Sequence, residues 1–280
     1  MRGIITKAIG GFFFTADDKQ NIYRCKLRGK IRDQVYPGDY VEFEDEIVEQ
    51  IYDRERLLHR PAVANVDQVL IVLAVSDPAF NRRMLDRFLI IVEEASLKPL
   101  IVINKIELAD SELKLQLDDY LNAGYEVCFV SVNEDIGLEK LKDNLHQHIN
   151  VFTGPSGVGK SSLINKLIVD ANLKVGEVSK RLKRGVHTTR QVDLLPVVDG
   201  GWIADTPGFT SLDLSHVLSE ELTYFYPEFL DYQVNCKFRG CSHTHEPKCA
   251  VKDAVENGEI SKFRYNSYKL FYEEVLKSNK

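Results

Sequence analysis

Residues 154–161 read Gly154-Pro155-Ser156-Gly157-Val158-Gly159-Lys160-Ser161, and this stretch decides the fold. It matches the pattern G-x-x-x-x-G-K-[ST], in which backbone N–H groups surround phosphate oxygens, the lysine meets the outer phosphates and the hydroxyl binds Mg²⁺. The apolar run Ile149 to Thr153 before it predicts a strand, and the run Ser161 to Val169 predicts a helix. We therefore expect an α/β domain in which phosphates bind at a helix N-terminus.

Three more motifs indicate a guanine-nucleotide site, but their order is unusual. Asn104-Lys105-Ile106-Glu107 and Ser131-Val132-Asn133 precede the phosphate loop, whereas Asp205-Thr206-Pro207-Gly208 follows it. In an ordinary GTPase the phosphate loop opens the domain and the guanine-reading motifs close it. The order here predicts a circularly permuted G domain, in which each motif follows its own strand and the ligand binds at one edge of the sheet.

Each motif has a chemical role that fits this interpretation. Glu107 follows the predicted strand Pro99 to Ile103, and its carboxylate can accept both guanine N1–H and N2–H₂, a pairing that adenine does not offer. Asp205 can hold Mg²⁺ through water, and the N–H of Gly208 can sense the terminal phosphate. The phosphate loop also resembles that of guanylate kinases, so a nucleotide kinase is an alternative, but a kinase does not need the phosphate sensor.

The group that activates water does not follow the usual pattern. Many GTPases place a glutamine just after D-x-x-G, but here the next residue is Phe209, which can neither accept nor donate a hydrogen bond. His187 lies beside Thr188 and Thr189, where a GTPase carries its first switch, and a neutral imidazole can orient water. We predict His187, Lys160 and Thr189 as catalytic residues, with Thr189 favoured over Thr188; the alternative for His187 is a loop or RNA-contacting histidine.

The motifs yield a defined set of candidate residues. For nucleotide binding these are Asn104, Lys105, Glu107, Ser131, Val132, Asn133, Gly154, Pro155, Ser156, Gly157, Val158, Gly159, Lys160, Ser161, Ser162, Asp205 and Gly208. For Mg²⁺ they are Ser161, Thr189 and Asp205.

The five cysteines fall into two groups. Cys25 and Cys128 stand alone in strand-like runs, where a free cysteine behaves as a small buried hydrophobe. The other three form C-x₄-C-x-H-x₅-C, a spacing of thiolate and imidazole ligands that suits a tetrahedral Zn²⁺ site. The candidate ligands are Cys236, Cys241, Cys249 and one histidine, either His243 or His245. The alternatives to zinc are reduced surface cysteines or a disulfide, which a cytosolic context disfavours.

Together these motifs resemble the ribosome small subunit-dependent GTPase A family, the circularly permuted GTPases that assist late maturation of the bacterial small ribosomal subunit. The likeness covers nearly the whole chain, and the segment from Cys236 to Val251 is especially similar to the zinc element of that family. The resemblance implies GTP hydrolysis stimulated by the small subunit, GTP and GDP as ligands, rRNA as a partner, and His243 as the fourth zinc ligand. One departure is Glu107, which stands where the family usually has aspartate. Its extra methylene changes the position of the carboxylate that discriminates guanine from adenine.

The net charge of −6 is unevenly distributed. Residues 63–235 hold 16 basic and 25 acidic side chains, whereas residues 1–62 hold 11 of each. In the first region five cations alternate with small or apolar residues, which predicts one basic strand face: Arg24, Lys26, Arg28, Lys30 and Arg32. Such a face suits an RNA phosphate backbone, although an edge strand protected by charge would have the same pattern.

At 280 residues and 44% apolar content, the chain is long enough for two domains and a small third. No run approaches the ~20 apolar residues of a membrane span, and the N-terminus lacks a signal-peptide cleavage site. We expect a cytoplasmic monomer with an OB-like RNA-binding β-barrel at 1–62, a circularly permuted P-loop GTPase domain at 63–212 and a helical zinc-binding domain at 213–280. A GTP-dependent RNA adaptor that does not hydrolyse GTP is the remaining alternative.

Overall fold

The computed structural model of the chain describes residues 1–59, 62–168, 192–198, 200–205 and 212–279. The N-terminal part is a closed barrel with strand order β1-β2-β3-β5-β4. Its strands are β1 (Arg2–Ile9), β2 (Phe12–Ala16), β3 (Ile22–Leu27), β4 (Tyr40–Glu44) and β5 (Ile47–Ile51). β3 pairs in parallel with β5 and the other pairs are antiparallel, which is an OB-type arrangement as predicted.

Period-two alternation fills the interior of the barrel. Ile5, Cys25, Val41, Phe43 and Val48 point inward and form one buried cluster. Their neighbours along β3 and β4 are exposed or half-buried, as a strand with one solvated face requires. Cys25 is therefore a small buried hydrophobe, as the sequence predicts.

The basic strand is shorter than the charge pattern predicts. β3 ends at Leu27, and the last hydrogen bond to β5 comes from the N–H of Arg28, which donates to the carbonyl of Val48 at 3.0 Å. In the turn that follows, the N–H of Ile31 donates to the carbonyl of Arg28 at 2.9 Å. Arg24 and Lys26 share the exposed face of β3, and Arg28 follows with an exposed side chain, but the prediction of one five-cation strand face was wrong for Lys30 and Arg32, which lie past the end of the strand.

A six-stranded sheet of order β10-β9-β8-β11-β13-β12 forms the middle of the chain. Its strands are β8 (Gln68–Ala74), β9 (Lys98–Asn104), β10 (Glu126–Phe129), β11 (Ile149–Thr153), β12 (Asp193–Pro196) and β13 (Trp202–Asp205). The hairpin of β6 (Leu57–His59) and β7 (Ala62–Ala64) comes before it. All neighbours are parallel except β12 and β13, so the amino and carboxyl ends of five strands lie at opposite edges.

Helices cover both faces of this sheet, which explains why every residue of β8 is buried. On one face, apolar residues of α1 (Arg82–Glu94) and α2 (Ser111–Asn122) complete one core. On the other face, α3 (Leu138–Leu145) and α4 (Lys160–Leu167) complete a second. The predicted strand before the phosphate loop is confirmed, and the helix after it begins one residue earlier than predicted.

The C-terminal part is helical and holds α5 (Pro227–Gln233), α6 (Ala250–Glu256) and α7 (Lys262–Ser278). Its core contains aromatic pairs, including Tyr226 edge-on to Tyr268 at 5.2 Å between ring centroids. Within the described part of the chain, we find no helix with the length and apolar character needed to cross a bilayer.

One buried arginine joins the C-terminal helices to the sheet domain. Arg264 on α7 is only 1% exposed. Its Nη1 donates to Asp86 Oδ1 on α1 at 2.6 Å, and its Nε donates to Glu228 Oε1 on α5 at 2.7 Å. Burial alone would lower the pKa of Arg264, but the carboxylates of Asp86 and Glu228 hold that pKa well above its usual value. The guanidinium also lies 4.6 Å from the ring centroid of Tyr226.

Removing this guanidinium should destabilise the protein strongly. Arg264→Ala would leave the carboxylates of Asp86 and Glu228 without their cation, and breaking a buried ion pair from one side costs about 3–5 kcal/mol. The free energy of unfolding from urea titration measures this cost. Lys262→Ala, on an exposed position of the same helix, is the matched control. A loss below about 1 kcal/mol in Arg264→Ala, the range of exposed ion pairs, would contradict the assignment.

Candidate nucleotide and metal sites

The predicted motifs meet at the carboxyl edge of the sheet. Asn104 is the last residue of β9, and Asp205 is the last residue of β13. The phosphate loop leaves the end of β11, and Ser131 follows β10 by two residues. Because these strands are parallel neighbours, the base-reading and phosphate-binding candidates lie at one edge although they are far apart in sequence.

The phosphate loop folds around the side chain of Lys160. Its Nζ donates to the carbonyls of Gly154 and Pro155 at 2.7 and 2.6 Å, and burial lowers the pKa of this amine. Gly154 has φ 132°, and a Cβ at this position would lie 2.0 Å from the carbonyl oxygen of Val72 on β8. Only glycine allows the chain to leave β11 so close to β8.

Asn104 connects the base-reading half of the site to the phosphate loop. Its side chain is 3% exposed, and its Nδ2 donates to the carbonyl of Val158 at 2.9 Å. A Cβ on Gly159 would lie 2.3 Å from the same nitrogen. The amide thus fixes the distance between two motifs that are more than fifty residues apart in the chain.

Lys105 contacts a loop that belongs to none of the sequence motifs. Its backbone is left-handed, with φ 62°. Its Nζ donates to the carbonyls of Ser76 at 3.0 Å and Asp77 at 2.5 Å, just beyond the end of β8. The loop follows β8, which lies between β9 and β11, so it is at the same carboxyl edge of the sheet as the motifs. That position is the one feature from which its role could have been predicted.

Glu107 lies with the second base-reading motif. Its Oε1 accepts from Asn133 Nδ2 at 3.3 Å. The hydroxyl of Ser131 is the main cause of a lowered pKa for Glu107, so the carboxylate is ionised and acts as an acceptor. Ser131 is buried, and its backbone pairs with Ile136 in both directions. This cluster presents a negative charge where a hydrogen-bond donor of a base can approach.

The other nucleotide candidates occupy the same edge, with some outside the described residues. Pro155, Ser156 and Gly157 lie in the loop between β11 and α4, Ser161 and Ser162 lie in the first turn of α4, and Val132 packs against the second core. Predictions that fall outside the described residues concern His187, Thr188, Thr189 and Gly208.

The C-terminal cysteines and one histidine form a compact Cys₃His cluster. Ligand atoms of all four side chains lie within 4.8 Å of one another: Cys236, Cys241, His243 and Cys249. His243 Nδ1 lies 3.3 Å from Cys249 Sγ and 3.6 Å from Cys236 Sγ. The side chain of His245 is 84% exposed, which excludes it from the cluster.

The chemistry of this cluster fits a metal ion. Burial raises the pKa of Cys241 to about 12 and also raises that of Cys249, so a cation is needed to hold the thiols as thiolates. The hydroxyl of Tyr265 on α7 donates to the carbonyl of His243 at 2.7 Å, and this fixes the loop that carries the histidine. Three sulfurs and one imidazole nitrogen are the ligand types that Zn²⁺ prefers.

Comparisons with known proteins identify the same family along nearly the whole chain. Residues 51–215 match the RsgA GTPase family, and residues 2–50 match the RsgA N-terminal domain. The small ribosomal subunit biogenesis GTPase RsgA of Geobacillus sp. (strain WCH70) is 44% identical over 285 residues, which cover 98% of this chain and 97% of the relative. The protein with the same description from Clostridium kluyveri (strain NBRC 12016) is 42% identical, with 100% of each chain covered.

Two solved structures share the whole architecture. YjeQ from Thermotoga maritima superposes with a TM-score of 0.84 at 37% identity and covers 98% of both chains. YloQ, described as a circularly permuted GTPase, superposes with a TM-score of 0.82 at 34% identity and covers 100% of this chain and 96% of its own. The permuted order predicted from the motifs is thus confirmed.

The cluster should bind one metal ion tightly. We expect the purified chain to contain about one equivalent, and Cys249→Ser should lose it because a hydroxyl is a poor replacement for a thiolate. Elemental analysis after gel filtration measures the metal content. Cys25→Ser, which changes a buried cysteine in the barrel, is the matched control and should retain the metal. Equal metal content in the two variants would remove Cys249 from the ligand set.

Proposed function

The chain belongs to the RsgA GTPase family and hydrolyses GTP, and we propose that it does so in the biogenesis of the small ribosomal subunit. In this proposal the GTP-bound protein associates with the subunit late in its maturation. The subunit stimulates hydrolysis, and the GDP-bound protein leaves. The observation that carries the proposal is the full-length similarity to ribosome biogenesis GTPases, together with a base-reading cluster joined by Asn104 to the phosphate loop.

Each part of the nucleotide would have its own set of residues. Glu107, with Asn133 and Ser131 beside it, accepts the guanine N–H groups, and Lys105 borders the base. Backbone N–H groups of the loop from Ser156 to Gly159, with Ser162 beyond them, surround the phosphates. Lys160 compensates the charge that develops on the outer phosphate oxygens.

Oxygen ligands for Mg²⁺ would come from Ser161, Thr189 and Asp205. Ser161 lies in the first turn of α4 and Asp205 ends β13, and hydroxyl and carboxylate oxygens suit this cation. When bound, Mg²⁺ would neutralise negative charge on the phosphate oxygens. Gly208 is proposed to sense the terminal phosphate through its N–H group.

The metal in the Cys₃His cluster is proposed to be zinc with a structural role. All four positions of a tetrahedral ion would be filled by Cys236, Cys241, His243 and Cys249, which leaves no open position for a substrate. The ion would hold the segment before α6 in place, and α6 and α7 pack in the same core.

The barrel is proposed to contact rRNA through its basic face. The guanidinium of Arg24 lies 3.6 Å and Lys26 Nζ lies 5.5 Å from the ring centroid of Phe12, so both cations lie together on one face of the barrel, and clustered positive charge suits an RNA phosphate backbone. Arg28 is less available because it pairs with Glu49. Lys30 and Arg32, in the turn beyond β3, would add charge but no ordered face.

Guanine selectivity tests the base site. Glu107→Ala should reduce the preference for GTP over ATP by about 10-fold or more, because the mutation removes a pair of charge-assisted hydrogen bonds. Competition of each nucleotide against a fluorescent GDP analogue measures the preference. Glu134→Ala, at a nearby exposed acid, is the control. Unchanged competition by ATP in Glu107→Ala would remove this residue from the base site.

Hydrolysis with and without small ribosomal subunits tests the proposed function. We expect slow release of phosphate from the isolated protein and a marked increase when small subunits are added. His187→Ala should lower the stimulated rate by about 100-fold or more, the lower end of the range for a general acid–base group, while GTP affinity stays near the parent value. Normal stimulation in His187→Ala would refute the role of His187, whereas no stimulation of the parent protein would refute subunit control.

A further inference from the structure

Among the described residues, an ion pair joins the barrel to the edge strand of the sheet domain, beside the proposed nucleotide site. Lys7 Nζ on β1 lies 2.7 Å from Asp193 Oδ2, and the side chains are 33% and 26% exposed. A register shift between Ile5 and Lys7 marks a bulge in β1, where the Thr6 hydroxyl donates to the carbonyl of Phe14. Bulges change the direction of the next side chain, and here that side chain is Lys7.

Asp193 lies directly beside the end of the strand that carries the proposed magnesium ligand. It is the first residue of β12, and in the antiparallel ladder it pairs with Asp205, the last residue of β13. Asp193 Oδ1 is buried and has no hydrogen-bond partner among the described residues. In the part of the chain that the structure describes, Lys7 is the cation that pairs with this carboxylate, through Oδ2.

β12 depends on the barrel for part of its lateral support. It is the edge strand of the described sheet, and β13 is its neighbour in the ladder there. β1 lies against it on the barrel side, and Ile4 and Ala16 of the barrel share one core with Leu194 of β12 and Ala204 of β13. A displacement of β1 would thus change the position of Asp193 and, through the ladder, that of Asp205.

We propose that Lys7 is a positioning residue for GTP hydrolysis, which acts through Asp193 to hold the end of β13 when the barrel is bound to the subunit. This inference rests on the proposed function, because it assigns Asp205 to the hydrolysis site and RNA to the barrel. Lys7 does not touch the nucleotide. We expect Lys7 to affect the subunit-stimulated rate of hydrolysis, because in this proposal contact with the subunit sets the position of the barrel relative to β12.

An exchange of the two charges tests the proposal. The variants are Lys7→Asp, Asp193→Lys and the double variant with both changes, and Lys19→Asp, at an exposed barrel position, is the control for charge. Phosphate release is measured at saturating GTP and saturating small subunits, with subunit affinity and GTP affinity measured separately. Each single variant should lower the stimulated kcat by roughly 3- to 10-fold, the scale expected for a partly buried ion pair.

The double variant and the control decide the interpretation. The double variant should recover at least half of the parent kcat, and Lys19→Asp should retain the parent value. Normal stimulated kcat in both single variants, or loss without recovery in the double variant, would overturn the proposal. Weaker subunit binding with normal kcat at saturation would overturn it too, because Lys7 would then be an RNA contact only. A parent protein that subunits do not stimulate would refute the proposed function and this inference together.

Discussion

Parallel pairing between β8 and β11 is the constraint on which the nucleotide site depends. β8 begins the half of the domain that carries the base-reading residues, and β11 begins the half that carries the phosphate loop. At the opposite edge of the sheet, the buried side chain of Gln68 donates to Asn150 Oδ1 at 2.7 Å, and this bond fixes the register of the two strands. At the ligand edge, Asn104 and Val158 complete the connection.

Because the G domain is circularly permuted, the C-terminal helices follow the strand that carries Asp205, and they pack against the same domain. Among the described strands β13, which carries Asp205, comes last along the chain, and the C-terminal helices follow it. Those helices are held against α1 by Arg264, which bonds to Asp86, and by Arg87, which pairs with Glu274 on α7. The barrel contacts the same sheet from the side of β12. The C-terminal helices therefore pack against α1, and the barrel packs against β12 of the same sheet.

Much of this arrangement could be predicted from the sequence because each motif is local. A phosphate loop, a base motif and a D-x-P-G motif each follow a buried strand, so the sheet edge and the permuted order follow from short segments. The length of β3 could not be predicted, since its end depends on where pairing with β5 stops. The partners of Lys105 and Arg264 also required the structure, because Asp77 lies 28 residues from Lys105 and Asp86 lies 178 residues from Arg264 in the chain. The choice of His243 over His245 rested on family resemblance until burial decided it.

Nucleotide-dependent co-sedimentation with small ribosomal subunits tests the central claim most directly. The protein would be incubated with subunits and either a non-hydrolysable GTP analogue or GDP, and the bound fraction would be measured after centrifugation at several salt concentrations. The account predicts binding that is stronger with the GTP analogue and that weakens as salt rises, since charge on the barrel contributes to it. Equal binding with both nucleotides, or no binding with either, would contradict the claim that GTP controls the association of this protein with the subunit.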